Sequence, residues 1–430
     1  MNSNLKNFGA LKNISALKIP SAFKNISTLA ALLLPLTAQA TNGYFTHGVG
    51  VRSQGMAGVG YALAQDSLAA ATNPAALTQL GDQLDLGVTW FQPKRSAVIR
   101  GNPMLSGEFD ANSDRYFWIP ELGLSYQANE RLSYGLVMHA NGGMNTGYTQ
   151  NPFDPSGNSG QAGVDLAQLF VTGAVAYQLT EAHALGLGVT YSYQMFEATG
   201  LAGFAGISSA PDALTNRGHD SSDGWGIKLG WQGQLTDQLT LAASWSSKIK
   251  MDNFEEYRGL FAQAGGFDIP QTYGLGFAWQ LQPNWILAGD WQFIEYSQIK
   301  SIANPLAVQA PLGASNSPGF GWQDVNVYKL GVIHTLSPEW TLRAGYSYAD
   351  QPIPASETFF NILAPGVIQE HLSLGASWSP TEQHALTLAY TRAFKTTRSG
   401  NQSIPTNFGG GEADLTMSQD ILGLAWQYRF

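Results

Sequence analysis

The side chains that could perform catalysis or bind a metal ion are few and scattered along the chain. The seven histidines are His47, His139, His183, His219, His334, His371 and His384. They form no cluster with the spacing of metal ligands, and no serine lies in the glycine-rich motif of a hydrolase nucleophile. The chain has no cysteine, so it has neither thiolate chemistry nor disulfides. The residues therefore predict no catalytic site, no metal site and no cofactor.

The first forty residues have the features of a secretory signal peptide. Four lysines, with no acidic residue, precede the apolar run Ile26 to Leu36 and the small-residue site Ala38-Gln39-Ala40. An apolar run of about eleven residues is too short to span the roughly 30 Å core of a bilayer. We expect residues 1–40 to be removed after Ala40. The loss of four lysines changes the net charge from −9 to −13, and so acidic a chain is not expected to bind nucleic acid.

The composition conflicts with both a soluble domain and a helical membrane protein. Hydrophobic residues make up 44% and charged residues 12%, about half of the roughly 25% charge that soluble domains carry. After Ala40 no continuous apolar stretch reaches the roughly 18 residues that a transmembrane helix needs. A membrane β-barrel resolves the conflict, because lipid covers the apolar residues at every second position of each strand.

From Gln83 to the C-terminus, alternating segments rich in Leu, Val, Trp, Tyr and Gly are separated by polar connections. In the last segment Leu422, Leu424 and Trp426 lie on one face, while small and polar residues lie on the other. Such alternation indicates strands with one side facing lipid and the other facing a lumen. A soluble β-sandwich is the alternative, but it would leave the outward Leu and Trp residues of many strands uncovered.

Two kinds of connection alternate along this region. Six are short and seven are long and polar, which gives fourteen strands and places both ends on the side of the short turns, the periplasmic side in outer-membrane barrels. The short turns are 127–131, 179–182, 235–238, 282–284, 337–339 and 380–383. The long loops are 97–115, 140–163, 200–222, 252–268, 297–324, 349–369 and 396–417. The sequence predicts an all-β fold, a transmembrane antiparallel β-barrel of about 14 strands over residues 83–430.

Residues 41–82 differ from the rest because they are rich in small residues and lack the alternation of strands. Asp66 can cap a short helix over 66–71, and the Asn73-Pro74 pair is expected to end it. A segment of about 42 residues with so little apolar bulk cannot form a core of its own. We therefore expect it to fold inside the barrel as an N-terminal hatch, that is, a plug.

Three runs in this segment resemble the hatch of the FadL long-chain fatty acid transporter family, which also includes porins for toluene and other aromatic hydrocarbons. They are Gly48-Val-Gly-Val-Arg-Ser-Gln-Gly-Met-Ala-Gly58, Ala64-Gln-Asp-Ser-Leu68 and Asn73-Pro74-Ala75-Ala76-Leu77. The resemblance extends over the mature chain, with strand motifs at 291–300 and 343–354 and an aromatic C-terminus. The hatch motif Asn73, Pro74 and Ala75 is a common triplet by itself, but its placement just before the first of the fourteen strands makes the signal strong.

The resemblance implies an outer-membrane protein that takes up hydrophobic molecules passively. A groove among the long loops would collect the ligand, a tighter pocket inside the barrel would receive it, and the ligand would leave sideways into the membrane. In the family a glycine kink in the third strand opens the wall, and here this opening is expected at Asn141, Gly142 and Gly143, after the strand 132–139. The alternatives are a general aqueous porin, against which the low charge counts, and, less favoured, a barrel enzyme.

The residues available for a polar end of the ligand differ from those of the family's fatty-acid members. Those members place basic groups in the inner pocket, where charge-assisted hydrogen bonds can bind a carboxylate. Here Gln323 stands at one such position, and residues 195–200 contain no Arg or Lys. This favours a neutral hydrocarbon, unless Arg217, Lys228 or Lys329 supplies the cation. The expected partners are the hydrophobic ligand, outer-membrane lipid and the barrel-assembly machinery during biogenesis, and the protein is expected to be a monomer.

Overall fold

Fourteen antiparallel strands close into a β-barrel in the computed structural model, which describes residues 42–156 and 160–430. Two further short strands, Gly107–Asp110 and Lys250–Met251, each pair with one barrel strand beside the long loops. This confirms the predicted fold class and strand number. The signal peptide predicted for residues 1–40 lies outside the described residues.

The barrel strands, numbered in chain order, are β1 (Gln83–Arg100), β2 (Phe117–Asn129), β3 (Leu132–Tyr148), β4 (Ala162–Gln178), β5 (His183–Thr199), β6 (Asp220–Thr236), β7 (Leu239–Ser246), β8 (Thr272–Gln282), β9 (Trp285–Ile294), β10 (Val325–Thr335), β11 (Trp340–Ala349), β12 (Glu370–Trp378), β13 (His384–Arg398) and β14 (Glu412–Arg429). Each pairs with the strands next to it in the sequence. The ring closes because β1 and β14 pair along their whole length, from Gln83 opposite Arg429 to Arg100 opposite Glu412. Closure gives both end strands a partner on each side.

The two faces of the wall differ as the alternation predicts. On β5, Leu185, Leu187 and Val189 are each about half exposed, whereas Gly186 and Gly188 between them are buried. Apolar outward side chains recur on every part of the ring, which suits the hydrocarbon region of a bilayer. The inward faces carry small and polar residues that contact the N-terminal segment, residues 42–82.

Six short turns join the strands at one end of the barrel and seven long connections join them at the other, as predicted. Some loop boundaries were predicted wrongly. The last strand, β14, begins at Glu412, inside the loop expected over 396–417, and the difference is largest at the end of β3. We expected a long loop from Ala140, but β3 continues to Tyr148, and the connection covers only 149–161. The strand extends through Asn141 and Gly143 because backbone groups of residues 44 and 46 hydrogen-bond to it there.

All the helices of the described residues are short, and none is long and apolar enough to cross a membrane. Three are α-helical: Val51–Gln54, Ala262–Gly265 and Lys300–Ala303. The 3-10 helices are Ser67–Ala71, Pro74–Gln79, Ala202–Ile207, Pro211–Ala213, Glu255–Tyr257, Tyr296–Gln298, Ala355–Glu357, Phe360–Ile362 and Thr406–Phe408. As predicted, Asp66 caps the first of these, its Oδ1 accepting the Leu68 N–H at 3.1 Å.

The interior has two different regions. Near the short turns, residues 48–82 contact the wall through many polar groups. Near the long loops, an apolar cluster joins strand ends to loop residues, with Tyr44 and Phe45 of the N-terminal segment at its base and Phe196, Phe254 and Trp322 among its largest members. We call these regions the polar half and the apolar half of the interior.

Candidate ligand-binding site

Asn73, Pro74 and Ala75 connect the N-terminal segment to the wall. Asn73 Nδ2 donates hydrogen bonds to the carbonyls of Tyr61 at 2.9 Å and Trp231 at 3.2 Å. Asn73 Oδ1 accepts the Ala75 N–H at 3.1 Å, and Pro74 begins the 3-10 helix that follows. One side chain therefore shapes the turn and ties it to β6.

Two glycines of the wall permit this contact. A Cβ atom at Gly186 would collide with the backbone of Ala75, and one at Gly230 would collide with Asn73 Oδ1. Both strands therefore need a residue without a side chain at these positions.

Three wall carboxylates accept backbone N–H groups of the N-terminal segment. Glu121 accepts those of Gly50 at 3.2 Å and Val51 at 2.9 Å. Asp290 accepts the backbone N–H groups of Gly60 at 2.7 Å and Tyr61 at 3.2 Å. Asp85 accepts the backbone N–H of Ser67 at 2.8 Å. Sequence reasoning missed these residues, although an acid at an inward position of a largely apolar strand is a signal that could have found them.

Ionisable groups of the N-terminal segment are enclosed as well. Arg52 donates to the Gln65 carbonyl at 2.7 Å and to Gln427 Oε1 at 3.0 Å. Burial, together with the neighbouring Asp85, raises the pKa of Asp66 above its usual value, while Arg52 opposes this shift. These buried ionisable groups can bond only to the few protein groups around them, and those specific contacts hold the segment in place.

His47 lies flat against a histidine of the wall. Its ring stacks on that of His371, with centroids 5.4 Å apart and an angle of 8° between the planes. Burial lowers the pKa of His47 to about 3, and the nearby Lys329 ammonium adds to the effect. His47 is therefore neutral in the folded protein at physiological pH.

The residues predicted to open the wall form a bulge in β3. Gly142 has a φ of 153°, and the pairing of β3 with β4 skips one residue between Ala140 and Gly142. On the other edge, the Thr46 N–H donates to the Asn141 carbonyl at 2.6 Å, and the Gly143 N–H donates to the Tyr44 carbonyl at 2.9 Å. At the bulge, β3 therefore pairs with the N-terminal segment in place of β2.

The pairing of β2 with β3 stops part-way up the wall. It runs to Leu122 opposite Met138 and goes no further within the described residues. Beyond that point β2 continues to Phe117 paired with β1, and β3 continues to Tyr148 paired with β4. We call this unpaired stretch the β2–β3 gap.

A cavity of about 90 Å³ lies between the N-terminal segment and the wall. Phe45, His139 and Asn141 line the side that adjoins the bulge, and Phe170 adds an aromatic face. The structure thus brings Asn141, a predicted opening residue, to the cavity.

Lys228 places a cation in this cavity. Its Nζ donates to the Ala71 carbonyl, and no carboxylate of the described residues lies within ion-pairing distance. Thr172 and Thr190, which share a hydrogen bond at 2.9 Å, line the same cavity. A buried ammonium with one backbone partner retains donor capacity for a ligand.

The other residues considered for the polar end of the ligand have different surroundings. Lys329 lines the cavity too, but lies opposite Asp290 on the neighbouring strand. Arg217 is exposed and pairs with Glu256 at 2.8 Å. Gln323 is also exposed, and the structure does not bring its side chain into the cavity.

A second cavity, of about 40 Å³, lies among the long loops. Its lining is almost wholly apolar, and includes Phe204, Phe261, Phe320 and Leu312. Such a lining can shelter an apolar solute from water but offers little to orient a polar one.

The chain matches a known protein family over nearly all of its length. Residues 33–430 match the family described as "Outer membrane protein transport protein (OMPP1/FadL/TodX)". The chain belongs to this family. As a member of the OMPP1/FadL/TodX family, it is a transport protein of the bacterial outer membrane, as the resemblance implied.

Curated relatives include two proteins named "Long-chain fatty acid transport protein". The one from Escherichia coli O6:H1 is 23% identical over 419 residues, covering 85% of this chain and 88% of the relative. The one from Salmonella typhi is 22% identical over 356 residues, covering 74% and 79%. The similarity therefore spans most of both proteins.

Three solved structures illustrate that the fold of this chain is shared with known outer-membrane proteins. The Pseudomonas putida toluene transporter TodX has a TM-score of 0.68 at 18% identity, covering 89% of this chain and 99% of its own. A Pseudomonas aeruginosa FadL homologue has the same TM-score and identity, covering 90% and 100%. The toluene transporter TbuX of Ralstonia pickettii has a TM-score of 0.62 at 17% identity, covering 89% and 99%.

Proposed function

We propose that the protein takes up a hydrophobic small molecule from outside the cell and releases it sideways into the outer membrane through the β2–β3 gap. The observation that carries this proposal is that the pairing of β2 with β3 ends at Leu122 and Met138, beside a cavity that reaches Asn141. A solute that leaves between β2 and β3 at this place need not break hydrogen bonds between these two strands, because they make none there. The bilayer interior then acts as the sink, so no energy source is required.

Three structural features would act in sequence. The apolar cavity among the long loops collects the ligand, the cavity beside the N-terminal segment binds it, and the bulge at Asn141, Gly142 and Gly143 gives access to the gap. Apolar side chains from Phe117 and Ile119 lie at this place in the wall, together with the partly buried Ala140. They suit the passage of an apolar solute.

Closing the gap chemically tests this route in a single protein. Because the chain has no cysteine, the double variant Ile119→Cys/Ala140→Cys carries its only two thiols on opposite sides of the gap. Joining them with a short, cleavable thiol crosslinker should stop uptake of radiolabelled fatty acid or toluene by cells, and cleaving the linker should restore it.

The matched control links the same strands where they are already paired. Leu124→Cys/Leu136→Cys joins residues that lie opposite each other in the sheet, so its crosslinking should leave uptake unchanged. Uptake that survives full crosslinking across the gap would rule out this exit.

Lys228 suggests a ligand with an apolar body and an anionic end, such as a long-chain fatty acid. The Lys228→Met variant should then lose fatty acid uptake, because the carboxylate loses a charge-assisted hydrogen bond in a buried cavity. A neutral aromatic hydrocarbon is the second candidate, favoured by the small volume of about 90 Å³. If Lys228→Met leaves fatty acid uptake intact, the anionic ligand is wrong and the neutral one is favoured.

The N-terminal segment is proposed to act as the hatch, blocking free diffusion of ions and water through the lumen. Its contacts with inward-facing wall residues support this role, and they also count against a general aqueous porin. Membership in a family of transport proteins supports a function without catalysis. The exposed C-terminal Phe430 remains available to the barrel-assembly machinery, and the closed ring supports a monomer surrounded by outer-membrane lipid.

A further inference from the structure

A basic patch lies on the outward face of the wall where β13, β14 and β1 meet. It is formed by Lys94 on β1, Arg392 on β13 and Lys395 at a bulge in β13. All three are on the half of the barrel toward the long loops, the extracellular half. The function proposed above does not use them.

The strand register places this patch on the extracellular side of the apolar belt, the band of outward apolar side chains that faces the hydrocarbon region of the bilayer. Trp90, Leu422 and Tyr390 lie opposite one another across the three strands, and theirs is the last row in which all three strands carry a large apolar or aromatic outward side chain. Aromatic residues at such a position mark the boundary between hydrocarbon and headgroups. In the next row outward, Arg392 lies opposite Asp420. The patch is therefore at the height of the lipid headgroups of the outer leaflet.

The cations of the patch outnumber the carboxylates that contact them. Asp420 is shared by Lys94 at 3.3 Å and Arg392 at 2.7 Å. Lys395 has no carboxylate of the described residues within ion-pairing distance, and its side chain is exposed. One carboxylate thus serves two of the three cations, and positive charge remains for an anion from outside.

Ser418 lies in the middle of this arrangement. It is opposite Lys94 on one side and opposite the two bulged residues, Phe394 and Lys395, on the other. Adjacent strands are about 4.8 Å apart, so the two lysines flank Ser418 at about that distance on either side. Ser418 itself is buried, and the long side chains of the two lysines can converge on one tetrahedral anion above it, whereas Phe394 offers an apolar surface beside it.

Acidic residues also occupy outward positions near the outer boundary of the apolar side chains, at Glu197 on β5, Asp223 on β6 and Glu370 on β12. The patch differs from these places because it brings three cations together on a chain of net charge −9.

We propose that this patch binds a phosphate group of lipopolysaccharide, the phosphorylated glycolipid of the outer leaflet. The headgroup height, the spare positive charge and the adjoining apolar surface match a phosphate attached to acyl chains. A lipid held there would lie over the seam at which β1 and β14 close the barrel. The proposal depends on the outer-membrane location and not on the identity of the transported ligand.

The test measures binding of fluorescent, bisphosphorylated lipid A to the purified mature protein in detergent. The variant Lys94→Gln/Lys395→Gln should weaken binding by about tenfold, since it removes two exposed charge pairs with the phosphate. Raising the salt concentration should weaken wild-type binding in the same direction. Lys250→Gln, an exposed lysine of the long-loop side outside the patch, is the matched control and should bind like wild type.

Two further arms identify the source of the phosphate and guard against misfolding. Lipid A freed of its phosphates should bind the wild-type protein as weakly as intact lipid A binds the double variant. Inorganic phosphate at millimolar concentrations should not displace the fluorescent lipid A. Ser418→Glu, which adds a carboxylate at the centre and leaves both lysines in place, should also weaken binding. Unchanged affinity in either folded variant, equal binding of phosphate-free lipid A, or effective competition by inorganic phosphate would each overturn the assignment.

Discussion

The polar and apolar halves of the interior are stabilised by different kinds of contact. In the polar half, wall carboxylates such as Glu121 and Asp290 bind particular backbone N–H groups of the N-terminal segment. In the apolar half, aromatic side chains such as Phe204 meet several others at ring distances of 5.2 to 5.7 Å without directional bonds. Hydrogen bonds fix one arrangement, whereas apolar contacts can be exchanged for contacts with a ligand.

This difference suggests that the two halves have separate roles. We propose that the polar half closes the lumen toward the periplasm. It should resist change, because each lost hydrogen bond leaves a buried polar group unpaired. The apolar half should yield to an entering solute at little cost. Mutations in the two halves should therefore differ in kind and in size.

The largest effect is expected from removing the polar half altogether. Deletion of residues 41–82 should give a large, steady ionic conductance in planar bilayers, because apolar loop contacts alone cannot seal the barrel against water. Folding of the deletion variant is checked first by its heat-modifiable migration on gels, with the intact protein as the control. A folded deletion variant with conductance as low as wild type would show that the long loops close the barrel by themselves.

The next largest effect is expected from Glu121→Ala, which leaves the N–H groups of Gly50 and Val51 without their acceptor. An unpaired buried donor costs about 1–3 kcal/mol, so the free energy of unfolding should fall by about 2–6 kcal/mol. Urea unfolding in detergent, followed by tryptophan fluorescence, measures this change. Glu382→Ala, on an exposed short turn, is the control and should change stability by less than about 0.5 kcal/mol. Similar losses in both variants would mean that the buried contacts have no special weight.

Much of the barrel was predictable because it is encoded locally. Outward residues such as Leu422 and Leu424 alternate with small ones, and the lengths of the connections gave the strand number. The extension of β3 through Gly142 was not predictable, since asparagine and glycine favour loops and the backbone partners lie about a hundred residues away in the chain. The structure has a bulge at Asn141 to Gly143, where the resemblance implies an opening in the wall, and the opening itself stays a prediction.

The site was harder to predict than the fold. Lys228 and Lys329 were recognised as possible cations, and both line the cavity. The role of Glu121 was missed because its partners are backbone groups 70 and 71 residues away, which no side-chain motif reveals. Gln323 was placed by similarity within a long loop, where a shift of one residue exchanges an exposed side chain for the buried Trp322 beside it.

A pH dependence should also arise from His47, which directly precedes the residues of the polar half. The pKa of His47 is lowered to about 3 in the folded protein by burial and by Lys329, whereas in the unfolded chain it is about 6.5. Between these values the unfolded state binds more protons, so His47 makes the protein less stable as pH falls from about 6.5 toward 3. The loss should reach a few kcal/mol at the acid end of this window.

The measurement is the temperature of the heat-modifiable gel shift between pH 7 and pH 4. His47→Gln should show a smaller decrease across this range than wild type, because the group that titrates has been removed. His384→Gln, at a short turn on the outside of the barrel, serves as the control and should keep the wild-type slope. Equal slopes for wild type and His47→Gln would remove His47 as a source of the acid sensitivity.

The smallest effect is expected in the apolar half, from Phe204→Leu. The change shortens one wall of the cavity among the long loops but leaves every buried polar group with its partner, so its cost should be about 1 kcal/mol. That is less than the loss expected for Glu121→Ala, and the same urea titration measures both.

Phe394→Leu, on the outward face of β13, controls for the loss of aromatic area alone. Because the contacts of Phe204 are exchangeable, binding of a fluorescent hydrocarbon probe should change only a few-fold and the conductance should stay at the wild-type level. A loss of stability as large as that of Glu121→Ala would mean that the apolar half is as rigidly specified as the polar half, and that its contacts cannot be exchanged for contacts with a ligand.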